Sequence, residues 1–97
     1  MALNRANRLI GIFKVSEGGI AATIVDIRIV VKFLIDVQAS YAIICHNHPS
    51  GALLVSKPDI AVTKKVKSAL KLFDILLQDH IIITMNGFYS MLENNDF

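Results

Sequence analysis

Apolar positions along this chain change their period several times, and each change marks an element. Arg8 to Val15, with β-branched and aromatic residues over Leu9 to Phe13, predicts a strand, and Ser16-Glu17-Gly18-Gly19 supplies a tight turn into a second arm over Ile20 to Val25. Asp26 then stands where an N-cap belongs, ahead of a helix predicted from Ile27 to Gln38. Ile27, Val30, Val31 and Leu34 share one face of it, with Arg28, Lys32 and Asp36 on another. Tyr41 to Cys45 is a continuous apolar run of strand length, expected to be buried on both faces. A polar loop from His46 to Lys57 leads into a second helix over Pro58 to Phe73, whose expected apolar stripe is Val62, Val66, Ala69, Leu70 and Phe73. The runs Ile75 to Leu77, Ile81 to Thr84 and Phe88 to Met91 close the chain as strands, with Asn86-Gly87 as a hairpin turn.

That order predicts one α/β or α+β domain, helices packed on a mixed sheet, and 97 residues are enough for one core but not for two. Charge adds little: a formal net charge of +2, scattered along the chain, gives no reason to invoke nucleic acid or an anionic surface. No apolar run reaches the roughly 18 residues a membrane span needs. The single cysteine, Cys45, excludes an internal disulfide and a thiolate zinc site, and a cytoplasmic location is expected.

The candidate chemistry lies where the central strand runs out. His46 and His48 stand two apart in extended backbone, so both rings point to one side and can converge on an ion about 2 Å from each nitrogen. Pro49 keeps His48 extended. Ten residues separate His48 from Asp59, which stands at the start of the second helix. Two imidazoles and a carboxylate leave the fourth position of a tetrahedral zinc open for water, whose pKa falls to about 7 on the metal. Ser56 and Asp59 are also spaced as a helix-capping pair, a role compatible with ligation. Cys45 beside His46 or His48 could be read as a nucleophile with its base, but a cysteine inside a buried strand is more often filler.

The segment His46-Asn47-His48-Pro49-Ser50-Gly51, continued by Ser56 and Asp59, resembles the JAMM motif, H-x-H-P, six residues, then S-x-x-D, as used by the bacterial RadC-like family. The likeness extends to Asp59-Ile60-Ala61-Val62-Thr63, to Asp79-His80-Ile81-Ile82-Ile83, to Tyr89-Ser90 and, at the other end, to Leu3 through Gly19. It implies a JAB/MPN fold with a cytidine-deaminase-like mixed sheet flanked by helices. It further implies Zn2+ on His46, His48 and Asp59, and Ser56 as the donor to the oxyanion of a peptide or isopeptide carbonyl. Asn47 and Ser50 would support the loop. His80 would be either a second-layer partner of the site or a half-buried structural histidine bonded by Asp79 or backbone.

The family also uses a glutamate general base ahead of the first hairpin, and neither Glu17 nor Glu93 matches it. The chain is accordingly expected to be one RadC-like domain truncated at its N-terminus, weak or inactive as a zinc hydrolase. Pairing of an exposed sheet edge into a homo-oligomer is a further expectation. The alternative function is a non-catalytic module binding protein or DNA. The family's DNA-repair label favours DNA, but the lysines of one helix, with no aromatic platform among them, support it weakly.

Overall fold

The computed structural model describes residues 1–14, 26–47 and 57–97. Five strands and two helices follow in the order β1 (Ala2–Leu3), β2 (Leu9–Gly11), α1 (Ile27–Asp36), β3 (Tyr41–Asn47), α2 (Lys57–Lys71), β4 (Leu76–Thr84) and β5 (Gly87–Ser90). The strands form one mixed sheet in the order β2-β1-β3-β4-β5, in which only β3 and β4 run parallel. With two helices against it, the fold is α+β, as the sequence leads one to expect. The expected turn at Ser16 to Gly19 and the arm over Ile20 to Val25 lie outside the described residues. Among the described residues, no helix is long and apolar enough to cross a membrane.

One core joins both helices to the sheet: Leu34 of α1, Val66 and Leu70 of α2, and Ala2, Ala42, Ile75 and Leu77. Asp26 caps α1 as expected, its Oδ1 accepting the Arg28 N–H at 3.0 Å. Both helices end two residues short of the predicted points, and for the same reason. Gln38 (φ 57°) and Asp74 (φ 58°) adopt the left-handed conformation. The amides of Ala39 and Ile75 then bond back to Leu34 O and Leu70 O, while those of Gln38 and Asp74 reach Ile35 O and Lys71 O. This is the Schellman arrangement, and its paired apolar positions, Leu34 with Ala39 and Leu70 with Ile75, are set in or against the core.

Several expectations are corrected. Ala2–Leu3 is a strand, too short to show alternation, yet it joins β2 to β3. β3 is not buried on both faces: Ala42 is buried, while Cys45 and Asn47 are exposed. The loop between β4 and β5 is Met85-Asn86, and Gly87 already pairs with Thr84. The two expected runs, Ile75 to Leu77 and Ile81 to Thr84, fall together in a single strand that begins at Leu76. Its pattern is broken because Gln78 is an extra residue: Ala42 pairs with Leu77, but Ile43 pairs with Asp79. A β-bulge at this point restores His80 to the face that carries Leu77, where strict alternation would have turned it away.

A β-branched residue at a left-handed position is strained by about 1–2 kcal/mol, whereas glycine is not. Gln38→Val should therefore lower the unfolding free energy by about that amount and Gln38→Gly should leave it unchanged or raised, as read by urea denaturation.

Candidate metal and hydrolytic site

β3, α2 and β4 form a strand-helix-strand crossover between parallel neighbours, which places the start of α2 near the carboxyl ends of both strands. His46, next to last in β3, lies on the same sheet face as Ala42 and Ile44. His80 pairs with Ile44 and is 1% exposed, and Asp59 and Thr63 are successive buried positions on α2. The buried line of α2 is Asp59, Thr63, Val66 and Leu70, rotated from the expected stripe, and Phe73 is exposed. A reading by hydrophobicity passes over Asp59 and Thr63 because they are polar, but both turn inward to polar partners.

Those partners form one chain. The Thr63 hydroxyl lies 2.7 Å from the Asp59 main-chain oxygen and 2.6 Å from His80 Nδ1. On the other side of the ring, His80 Nε2 lies 2.6 Å from His46 Nδ1, the two rings meeting edge to face. His46 Nε2 in turn faces Asp59 Oδ1 at 4.0 Å. Met91, fully buried, closes over Thr63 with its sulfur 3.6 Å from the hydroxyl.

His80 is thus neither half-buried nor bonded through its ring to Asp79. Asp79 instead holds the bulge. Its Oδ1 accepts the amides of His80 (2.7 Å) and Leu92 (3.0 Å), and its Oδ2 accepts the Ser90 hydroxyl (2.6 Å). Of the residues read from the motif, His46 and Asp59 are brought together. Asn47 is exposed at the end of β3, on the face opposite His46, and His48, Ser50 and Ser56 lie outside the described residues, as does Glu17. Glu93 is exposed beyond β5, with its amide on Ser90 Oγ. Sequence pattern alone does not mark Thr63 or Met91 as site residues; the signal available for Thr63 is its spacing of four from Asp59.

Cys45 is corrected as well. It is exposed rather than a buried filler, and as the strand neighbour of His46 it points to the opposite sheet face, away from that base. Partial desolvation of its sulfur pushes the thiol pKa up, which the Met1 amino group opposes and Asp79 reinforces. A raised pKa at neutral pH means less thiolate, the opposite of what a nucleophile requires.

The family model described as RadC-like JAB domain matches residues 1–96. The chain belongs to this family. Relatives similar to this RadC-like domain are named UPF0758 protein. That of Flavobacterium johnsoniae is 44% identical over 95 residues, 98% of this chain and 42% of the relative. One from Neisseria meningitidis is 40% identical over 84 residues, 87% of this chain and 37% of the relative. The Clostridium botulinum protein is 42% identical over 91 residues, 94% of this chain and 40% of the relative. The RadC-like chain therefore spans less than half the length of these curated relatives.

As Asp79 accepts two amides and a hydroxyl around the bulge, Asp79→Ala leaves two part-buried donors, the His80 amide and the Ser90 hydroxyl, without their acceptor. A stability loss of about 1–3 kcal/mol is expected in chemical denaturation, together with displaced side-chain resonances of His80.

Proposed function

We propose that this RadC-like JAB domain is a zinc-dependent hydrolase module acting on peptide or isopeptide bonds, with His46, His48 and Asp59 as the metal ligands. The observation that carries the reading is the approach of His46 Nε2 to a buried Asp59 carboxylate at 4.0 Å. Two donors on one ion, each about 2 Å from it, stand somewhat closer than that. Nitrogen and carboxylate oxygen also suit zinc. Among the described residues, no group of three or more His, Cys, Asp or Glu is arranged to hold a metal. The third ligand of the proposal, His48, lies in the segment that follows β3.

When bound, zinc supplies Lewis acidity and lowers the pKa of a coordinated water. The protein supplies the rest. Asp59, in the first turn of α2, brings a negative charge to the positive end of the helix dipole. Ser56, two residues ahead of Pro58, is assigned the hydrogen bond to the oxyanion of the attacked carbonyl, a contribution of about 3 kcal/mol where such donors have been removed. A general base for the water proton is the part that the glutamates of this sequence do not supply at the family's position. Loss of a positioned base slows such reactions by about 100- to 10,000-fold, so hydrolysis by these 97 residues alone is expected to be slow. Metal content, not turnover, is the first test.

After dialysis against zinc and removal of excess, elemental analysis should give about one zinc per chain in the wild type and almost none in His48→Ala or Asp59→Ala. Equal and negligible content in all three would reject the metal reading and transfer the function to a binding module. Any amide hydrolysis observed should stop with a chelator, return with zinc, and be indifferent to alkylation of Cys45.

A further inference from the structure

The bonds around His80 have a direction, which can be read from the atoms that are unable to donate. The Asp59 main-chain oxygen is only an acceptor, so the proton in its 2.7 Å contact with Thr63 must come from the hydroxyl. Having donated there, Thr63 Oγ1 accepts at its 2.6 Å contact with His80, and His80 Nδ1 carries a proton. With both rings neutral, His80 Nε2 is then an acceptor, and His46 must donate to it from Nδ1 across 2.6 Å. That leaves the lone pair of His46 on Nε2, the nitrogen turned toward Asp59. Run the other way, the same chain would put a proton on His46 Nε2 and make it a hydrogen-bond donor to the carboxylate. The direction therefore decides whether the nitrogen facing Asp59 is a ligand atom or a donor to that carboxylate.

We infer that His80, oriented by Thr63, is a positioning residue that fixes His46 as its Nδ1–H tautomer and so presents Nε2 as the donor atom of the site. A ligating histidine usually gives its second N–H to a carboxylate or a carbonyl; here the acceptor is another imidazole, itself held by a helix threonine. The bulge at Gln78 and Asp79 turns His80 onto the face where this is possible, and the full burial of Thr63 and Met91 keeps water from competing for the ring nitrogens. As regards the metal, the inference rests on the zinc reading above; as regards the tautomer, it does not.

The test uses the whole chain, which has only three histidines to assign. In long-range ¹⁵N–¹H correlation spectra of the metal-free protein, His46 and His80 should both show the Nδ1–H pattern. Thr63→Val should disturb His80 and, through it, His46. Zinc affinity, measured by competition with a chromophoric chelator, should fall about 10- to 100-fold in His80→Phe. It should be largely kept in His80→Gln, whose amide oxygen can still accept from His46 Nδ1–H. A His46 resonance of the Nε2–H type, or a folded His80→Phe with wild-type zinc affinity, overturns the inference. The two readings fail separately. Nδ1–H patterns in a wild type that takes up no zinc reject the metal and uphold the tautomer, while an Nε2–H pattern in a wild type that binds zinc does the reverse.

Discussion

The pairing of β3 with β4 is the constraint on which the site depends, and it is a constraint of phase. In a sheet, a shift of one residue carries every later side chain to the other face. Gln78 introduces one such shift, so that Leu77 enters the core and His80, three residues later, reaches the same side. Asp79 keeps the shift in place by accepting the His80 amide at the bulge and the Leu92 amide from the turn beyond β5. A local departure from regular structure, held by one carboxylate, thus determines which chemistry stands next to His46.

α2 completes the arrangement because its inner face changes character along its length. Val66 and Leu70 pack into the core near the C-terminal end, where the Schellman turn seats Ile75 as well. Asp59 and Thr63 continue the same line toward the N-terminal end, but there they meet histidines in place of leucines. The apolar half fixes the helix on the sheet, and the polar half is carried into position by it. Burial without partners would be costly for such groups; no buried side-chain nitrogen or oxygen among the described residues lacks a hydrogen-bond partner.

Much of this was legible in the sequence, and the parts that were not share a cause. Elements with a clean period, such as α1 behind Asp26 and the apolar run of β3, were found within a few residues. The helix ends were overrun because Gln38 and Asp74 are not residues that announce a left-handed turn. β4 was divided in two because a bulge and a break look alike when only hydrophobic spacing is read. His46 and Asp59 were identified from spacing and from resemblance, and the fold brings them together. Thr63 was not, since a threonine in a helix gains its meaning only from what lies opposite. Cys45 departs from its expected burial because an apolar neighbourhood in sequence says nothing of which face a helix will cover.

His46 comes from β3, Asp59 and Thr63 from α2, and His80 from β4, so the cluster spans 35 positions of chain, 46 through 80. In the unfolded chain these groups are dispersed, and nothing there resembles the cluster. Anything that binds between His46 and Asp59 therefore favours the native state over the unfolded chain, and its occupancy adds to the free energy of folding by mass action. At a free concentration a hundred times its Kd, this amounts to at most about 2.7 kcal/mol, less whatever the unfolded chain's own histidines contribute to binding.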